Sequence, residues 1–136
     1  MKESDIQKQV IDSLSIIAQS KNIFFFSVPN EGFMASAMAM GMDKVSMGKL
    51  NNHYKKMGMV PGVPDICILY SGCYFFMGEK LYKPRTLFIE LKKPGGKVST
   101  KQEYVHKAIG NVGHDVEIAY GLEDVMKILF DYGVIG

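Results

Sequence analysis

Asp65, Glu90 and Lys92 are the residues of this 136-residue chain whose types and spacing point to chemistry. In Leu87-Phe88-Ile89-Glu90-Leu91-Lys92 the apolar residues Leu87, Ile89 and Leu91 alternate with the rest. On a β-strand that alternation sends Glu90 and Lys92 to one face and the three aliphatic side chains to the other. Asp65 stands just ahead of a second apolar run, Ile66 to Tyr70, at a position where a strand disfavours aspartate. If the two runs pair antiparallel about a centre near Gly78, Asp65 lies beside Glu90 and Lys92. Two carboxylates at that range repel unless a positive charge sits between them, and a hard cation with oxygen ligands and open water positions meets the need. Mg²⁺ is the expected ion, with Mn²⁺ as its substitute. Such an ion holds a phosphate oxygen and makes a bound water acidic enough to attack phosphorus, while Lys92 offsets the charge gathering on the phosphate. The chemistry expected is hydrolysis of a phosphodiester.

The elements that must position these residues follow from periodicity. Ile6, Val10, Leu14 and Ile17 form the stripe of an amphipathic helix over residues 4 to 19. Ile23 to Val28 reads as a buried strand, closed by a turn at Pro29-Asn30-Glu31-Gly32. Between Phe33 and Met59 lie seven of the ten methionines; Lys44 to Met57 reads as a helix, and residues 33 to 43 carry no decisive pattern. Pro64 to Tyr70 and Thr86 to Lys92 read as strands joined by a loop or hairpin. Ser99-Thr100-Lys101-Gln102 has the form of a capping box, and Val105, Ala108, Ile109 and Val112 continue it as a helical stripe. His114 to Tyr120 alternates as a strand does, and Leu122, Val125, Met126, Leu129 and Phe130 mark a last helix before Gly133. The order predicts an α/β fold with a mixed sheet: the step from residue 86 to 120 is a right-handed parallel crossover, and the preceding pair is antiparallel.

Length and composition suit a single domain over residues 1–136. No run has the length and apolar character of a membrane span or of a secretory leader, so a soluble, cytoplasmic protein is expected. Cys67 and Cys73 lack metal-finger spacing and read as reduced, partly buried side chains. The net charge of +2 is unevenly spread. Six lysines and Arg85 face only Glu79 and Glu90 between residues 79 and 101, and Lys44, Lys49, Lys55 and Lys56 face only Asp43. For clusters this mild, solvated lysine faces are the better account by about two to one, so a nucleic-acid surface needs support from elsewhere in the sequence. Gly96-Lys97 lacks the Ser or Thr and the glycine placement of a phosphate loop, and His53, His106 and His114 have no mutual metal spacing.

Taken alone, Glu90-Leu91-Lys92 also suits an exposed strand edge. Its weight comes from company: Pro61-Gly62-Val63-Pro64-Asp65 upstream, and Lys92-Lys93-Pro94-Gly95-Gly96-Lys97 with Ser99-x-x-Gln102 downstream. With Glu3 and Gln7 on the first helix and Pro29-Asn30-Glu31-Gly32 after the first strand, this combination resembles the PD-(D/E)xK nuclease superfamily. Within it, the chain is similar to the VRR-NUC family, including its small stand-alone members from bacteriophages. The resemblance implies a restriction-endonuclease-like core (αβββαβ), with an inserted helix after the first strand and a C-terminal helix. It implies that Asp65 and Glu90 bind the metal with help from the Leu91 backbone carbonyl, and that Lys92 orients the attacking water or stabilises charge. It makes Glu3 an auxiliary acid and Gln102 a polar support, although Glu3 also favours a helix N-terminus and Gln102 also completes a capping box. It further implies branched DNA such as four-way junctions or flaps as substrate, and a homodimer. Lys55, Lys56, Lys93, Lys97, Lys101 and Asn30 are the expected DNA contacts, through the backbone rather than base edges. A different class of reading is a non-catalytic module that only binds branched DNA. A small-molecule α/β enzyme would need a phosphate loop or nucleophile elbow, and neither is in the sequence.

Overall fold

Ile6, Val10 and Leu14 recur at one-turn spacing, and a helix over them buries all three: α1 spans Glu3–Ser20. The structure, a computed structural model, describes residues 1–136, except the side chains of residues 31 to 33; the expected Glu31-Gly32 part of the turn motif lies there, outside the described side chains. After α1 come β1 (Ile23–Ser27), α2 (Glu31–Ala39), α3 (Lys44–Lys56), β2 (Ile66–Phe76), β3 (Glu79–Leu91), α4 (Thr100–Asn111), β4 (Asp115–Ala119) and α5 (Leu122–Asp131). The strands form one sheet in the order β1-β2-β3-β4. β1 with β2 and β2 with β3 run antiparallel, whereas β3 and β4, joined through α4, run parallel. The fold is therefore α/β with a mixed sheet, as expected.

Alternation decides the two faces. Ile66, Ile68 and Tyr70 of β2 and Leu87, Ile89 and Leu91 of β3 point to one side, where they cluster with Ile6, Val10 and Leu14 of α1 and Val125 and Leu129 of α5. Burial of each such side chain stabilises the fold by roughly 1.5–3 kcal/mol. Glu90 alternates to the opposite side, where α4 lies, held by its buried Val105 and reaching Glu90 through His106. Ser99 caps α4: its hydroxyl accepts from the Gln102 backbone N–H at 3.2 Å, and the Gln102 side-chain oxygen accepts from the Ser99 N–H at 2.9 Å. Both halves of the expected capping box are formed.

Two expectations are corrected. Two helices, not one, are inserted after β1, and the second begins where Asp43 accepts from the Ser46 N–H at 2.7 Å. Low periodicity among Met, Ala and Gly hid the first of them. β1 is an edge strand, and it is only half-buried: Ile23 and Phe25 pack against the core, while Phe24 and Phe26, on the other face, are exposed. An all-apolar run does not reveal that one of its faces goes uncovered. Of the loop or hairpin expected between the two central strands, the structure has the hairpin. Both strands run on to a two-residue turn at Met77-Gly78, and beyond Tyr70 and before Leu87 they pair only with each other. This two-stranded arm carries exposed Phe75, Phe76, Met77 and Tyr82. Cys67 is buried and Cys73 exposed, and neither is in a disulfide.

Candidate metal centre

The site depends on register. Ile66 pairs with Ile89 across β2 and β3, so one step further Asp65 stands opposite Glu90. The expected centre at Gly78 is half a residue off, since it would have placed Asp65 opposite Leu91 and hence on the apolar face. Positive φ at Met77 (52°) and Gly78 (80°) explains the correction. A two-residue turn with positive φ at both positions closes the hairpin between them and fixes all the pairs behind it.

Asp65 is held from two sides. Its Oδ2 accepts from the Leu91 backbone N–H at 2.7 Å, and its Oδ1 accepts from the Asn30 side-chain amide, also at 2.7 Å. Asn30 donates a longer bond to the Val63 carbonyl at 3.5 Å as well. Asn30, expected at the DNA, lines the cleft and grips the carboxylate. The stretch leading to Asp65 is set by Gly62, whose φ of +93° favours glycine and where a Cβ would lie 2.8 Å from the Lys101 carbonyl oxygen. Pro64 is fully buried. The Pro-Gly-x-Pro-Asp segment therefore lies flat against the first turn of α4, which aims Asp65.

Among the described residues Glu90 is the one buried acid, 2% exposed. Burial pushes its carboxyl up to about 9, and a hydrogen bond and the neighbouring charge of Asp65 add to the effect. Lys92 pulls the other way and Glu3 pushes weakly with Asp65. Glu90 Oε1 lies 3.3 Å from His106 Nε2. Burial holds the His106 imidazole below its ordinary range, and Lys92 works in the same direction against a raising influence of Asp65. The Lys92 side chain is 12% exposed, and its ammonium lies 3.9 Å from Oε1 of Glu3. The Lys92 backbone N–H donates to the Ala119 carbonyl at 2.9 Å, which extends the β3–β4 pairing to the site.

These groups open on a cleft of about 830 Å³. Its lining includes Glu3, Gln7 and Lys8 of α1, Asn30, Gly62 and Asp65, and Glu90, Leu91, Lys92 and Gln102. Of the expected catalytic set, Asp65, Glu90, Lys92, Glu3 and Gln102 all line this cleft. Lys93, Lys97 and Lys101 are exposed on the segment that follows Lys92, beside the cleft in sequence but not among its lining. Lys55 and Lys56 end α3, are exposed, and are not among the lining either. Sequence reasoning passed over Lys8 and His106. The signal for His106 was its position four residues after Gln102 on one helix, which puts both on one face. Lys8 follows Gln7 and needed the turn of α1 to be known.

Among the described residues, no group of three or more His, Cys, Asp and Glu side chains is arranged to hold a metal ion. An ion that keeps most of its waters requires less: Mg²⁺ is commonly bound through one or two carboxylates. The donors fit such an ion. Asp65 and Glu90 are hard oxygen donors facing each other across two strands, and the Asp65 carboxylate has lone-pair sites beyond those that accept from Asn30 and the Leu91 N–H. A buried carboxyl whose ionisation is opposed so strongly is the group a divalent charge would stabilise. The chain matches no family model, no curated relative and no solved structure. Among the described residues no helix is long and apolar enough to cross a membrane.

Proposed function

We propose that the chain is a metal-dependent DNA endonuclease of the VRR-NUC type, hydrolysing phosphodiester bonds in branched DNA such as four-way junctions or flaps. The observation that carries the reading is the direct opposition of Asp65 and Glu90 at the head of β2 and the end of β3, with Lys92 beside them. Asp65 and Glu90 would hold Mg²⁺ or Mn²⁺, with the Leu91 carbonyl as the third protein oxygen. The ion would supply Lewis acidity toward a phosphate oxygen and an acidified water.

The chain's own groups do the rest. Asn30 and the Leu91 N–H fix the orientation of Asp65 before substrate arrives, so no reorganisation is needed during the reaction. Lys92 presents a largely buried ammonium at the cleft, where low dielectric strengthens its pull on a developing phosphorane charge. Glu3 holds that ammonium from α1. The exposed Lys93, Lys97 and Lys101 offer charge to the flanking backbone, which positions DNA without reading its sequence. A homodimer would present two such clefts to the two arms of a junction.

The rival reading, a module that binds branched DNA without cutting it, has no use for two carboxylates facing phosphate, one of them buried at a cost in free energy. The deciding experiment incubates labelled linear, flap and four-way DNA with wild type, Asp65→Asn and Lys92→Ala, with Mg²⁺ and with EDTA. Wild type is expected to cut the branched substrates only with the ion. Each variant is expected to lose at least about 100-fold in rate while still binding DNA. Binding by wild type with no ion-dependent cutting would favour the non-catalytic module.

A further inference from the structure

Histidine 106 is a polar side chain in a place that packing alone would fill with an aliphatic one. It lies on the face of α4 that Val105 anchors to the sheet, its side chain is 12% exposed, and its Nε2 is 3.3 Å from Oε1 of the buried Glu90. Among the described residues the other two histidines have no such contact: His53 lies against the Tyr54 ring on α3, and His114 precedes β4. The charged groups that act on His106 are Lys92 and Asp65, both lining the cleft.

A carboxylate at the end of a side chain with three rotatable bonds can present either oxygen, or both, to an ion. What fixes the choice is a donor on one oxygen. A neutral imidazole has a single N–H, and only the tautomer carrying it on Nε2 can donate to an ionised Glu90. On this basis, and resting on the reading of Asp65 and Glu90 as an ion site, we propose that His106 is a positioning residue. It donates Nε2–H to Oε1 of Glu90 and so turns the other carboxylate oxygen toward the ion opposite Asp65.

Such outer partners of metal-binding groups govern affinity, and their loss typically weakens it about 10–100-fold. A residue that merely fills space moves thermal stability and leaves ion affinity alone. The test measures Mn²⁺ affinity by calorimetry and electron paramagnetic resonance for wild type, His106→Ala and His106→Gln, and records the imidazole ¹⁵N tautomer of His106 in Mg²⁺-saturated wild type. His106→Ala is expected to bind Mn²⁺ about 10–100-fold more weakly, with His106→Gln recovering most of the loss because its amide N–H takes the place of Nε2–H. The Mg²⁺-saturated wild type is expected to show the Nε2–H tautomer. Wild-type affinity in both variants, or an Nδ1–H tautomer in the wild type, would overturn the role of His106 while leaving the ion site standing. Absence of Mn²⁺ binding by wild type itself would overturn both. Should either variant fail to fold, the tautomer in wild type decides alone.

Discussion

Replacing Glu90 by Gln should make the metal-free protein more stable, and increasingly so as pH rises. Glu90 in the folded chain is pushed up to about 9 from an ordinary value of 4.5, chiefly by burial. The unfolded chain then loses its proton near 4.5 while the folded chain keeps it, so below that pH the Glu90 contribution is fully present. It is lost as pH climbs toward 9, at about 1.36 kcal/mol per pH unit. Near pH 8 the accumulated loss is about 5 kcal/mol as an upper figure, and about 3 kcal/mol once water entering from the cleft is allowed for. A glutamine of the same shape has no proton to lose. Urea unfolding in EDTA is the assay, comparing the two proteins near pH 5 and near pH 8. Other titrating groups cancel in the difference. The gap in favour of Glu90→Gln is expected to widen by about 2.5 kcal/mol between the two conditions. Adding Mg²⁺ near pH 8 should then stabilise wild type and leave the variant unmoved, since a ligand that binds only the folded state raises its stability. Parallel pH dependence in the two proteins would refute the reasoning, because it would mean that Glu90 is ionised and satisfied without an ion.

Three more outcomes follow from the same geometry. Mg²⁺ binding near pH 7 should release about one proton, from Glu90, so affinity should rise up to about tenfold per pH unit until pH 9; calorimetry in two buffers of different ionisation enthalpy measures it. Asn30→Ala removes the 2.7 Å bond that holds Asp65 Oδ1 and should weaken Mn²⁺ binding about tenfold, as read by titration. Gly62→Ala places a Cβ against the Lys101 carbonyl at a positive φ and should destabilise the fold by about 2 kcal/mol or more in urea unfolding, with the Ala of Gly110, where nothing lies within 4 Å, as the mild comparison.

Much of this was readable in the sequence because the relevant signals are local. The alternation of Leu87, Ile89 and Leu91 against Glu90 and Lys92 fixed which residues share a face, and burial on the two sides agrees. Ser99 and Gln102 announced α4, and the stripe of Ile6, Val10 and Leu14 announced α1. What was not readable is what depends on distant partners. The hairpin register needed the turn at Met77-Gly78, and methionine with positive φ is not a sequence signal. Whether Phe24 and Phe26 are covered depends on where helices elsewhere in the chain come to rest. The grip of Asn30 on Asp65 joins residues 35 apart, and that of His106 on Glu90 joins residues 16 apart across a helix and a strand. Spacing along the chain says nothing about such pairs until the sheet and α4 have been placed.

The most direct measurement is the anomalous scattering of Mn²⁺ soaked into crystals of the wild-type protein. One peak is expected between the two strands, about 2.1 Å from an oxygen of Asp65 and from an oxygen of Glu90. Ordered crystals soaked in excess Mn²⁺ that show no peak there, or show Mn²⁺ bound only elsewhere, would contradict the metal centre and with it the proposed hydrolysis.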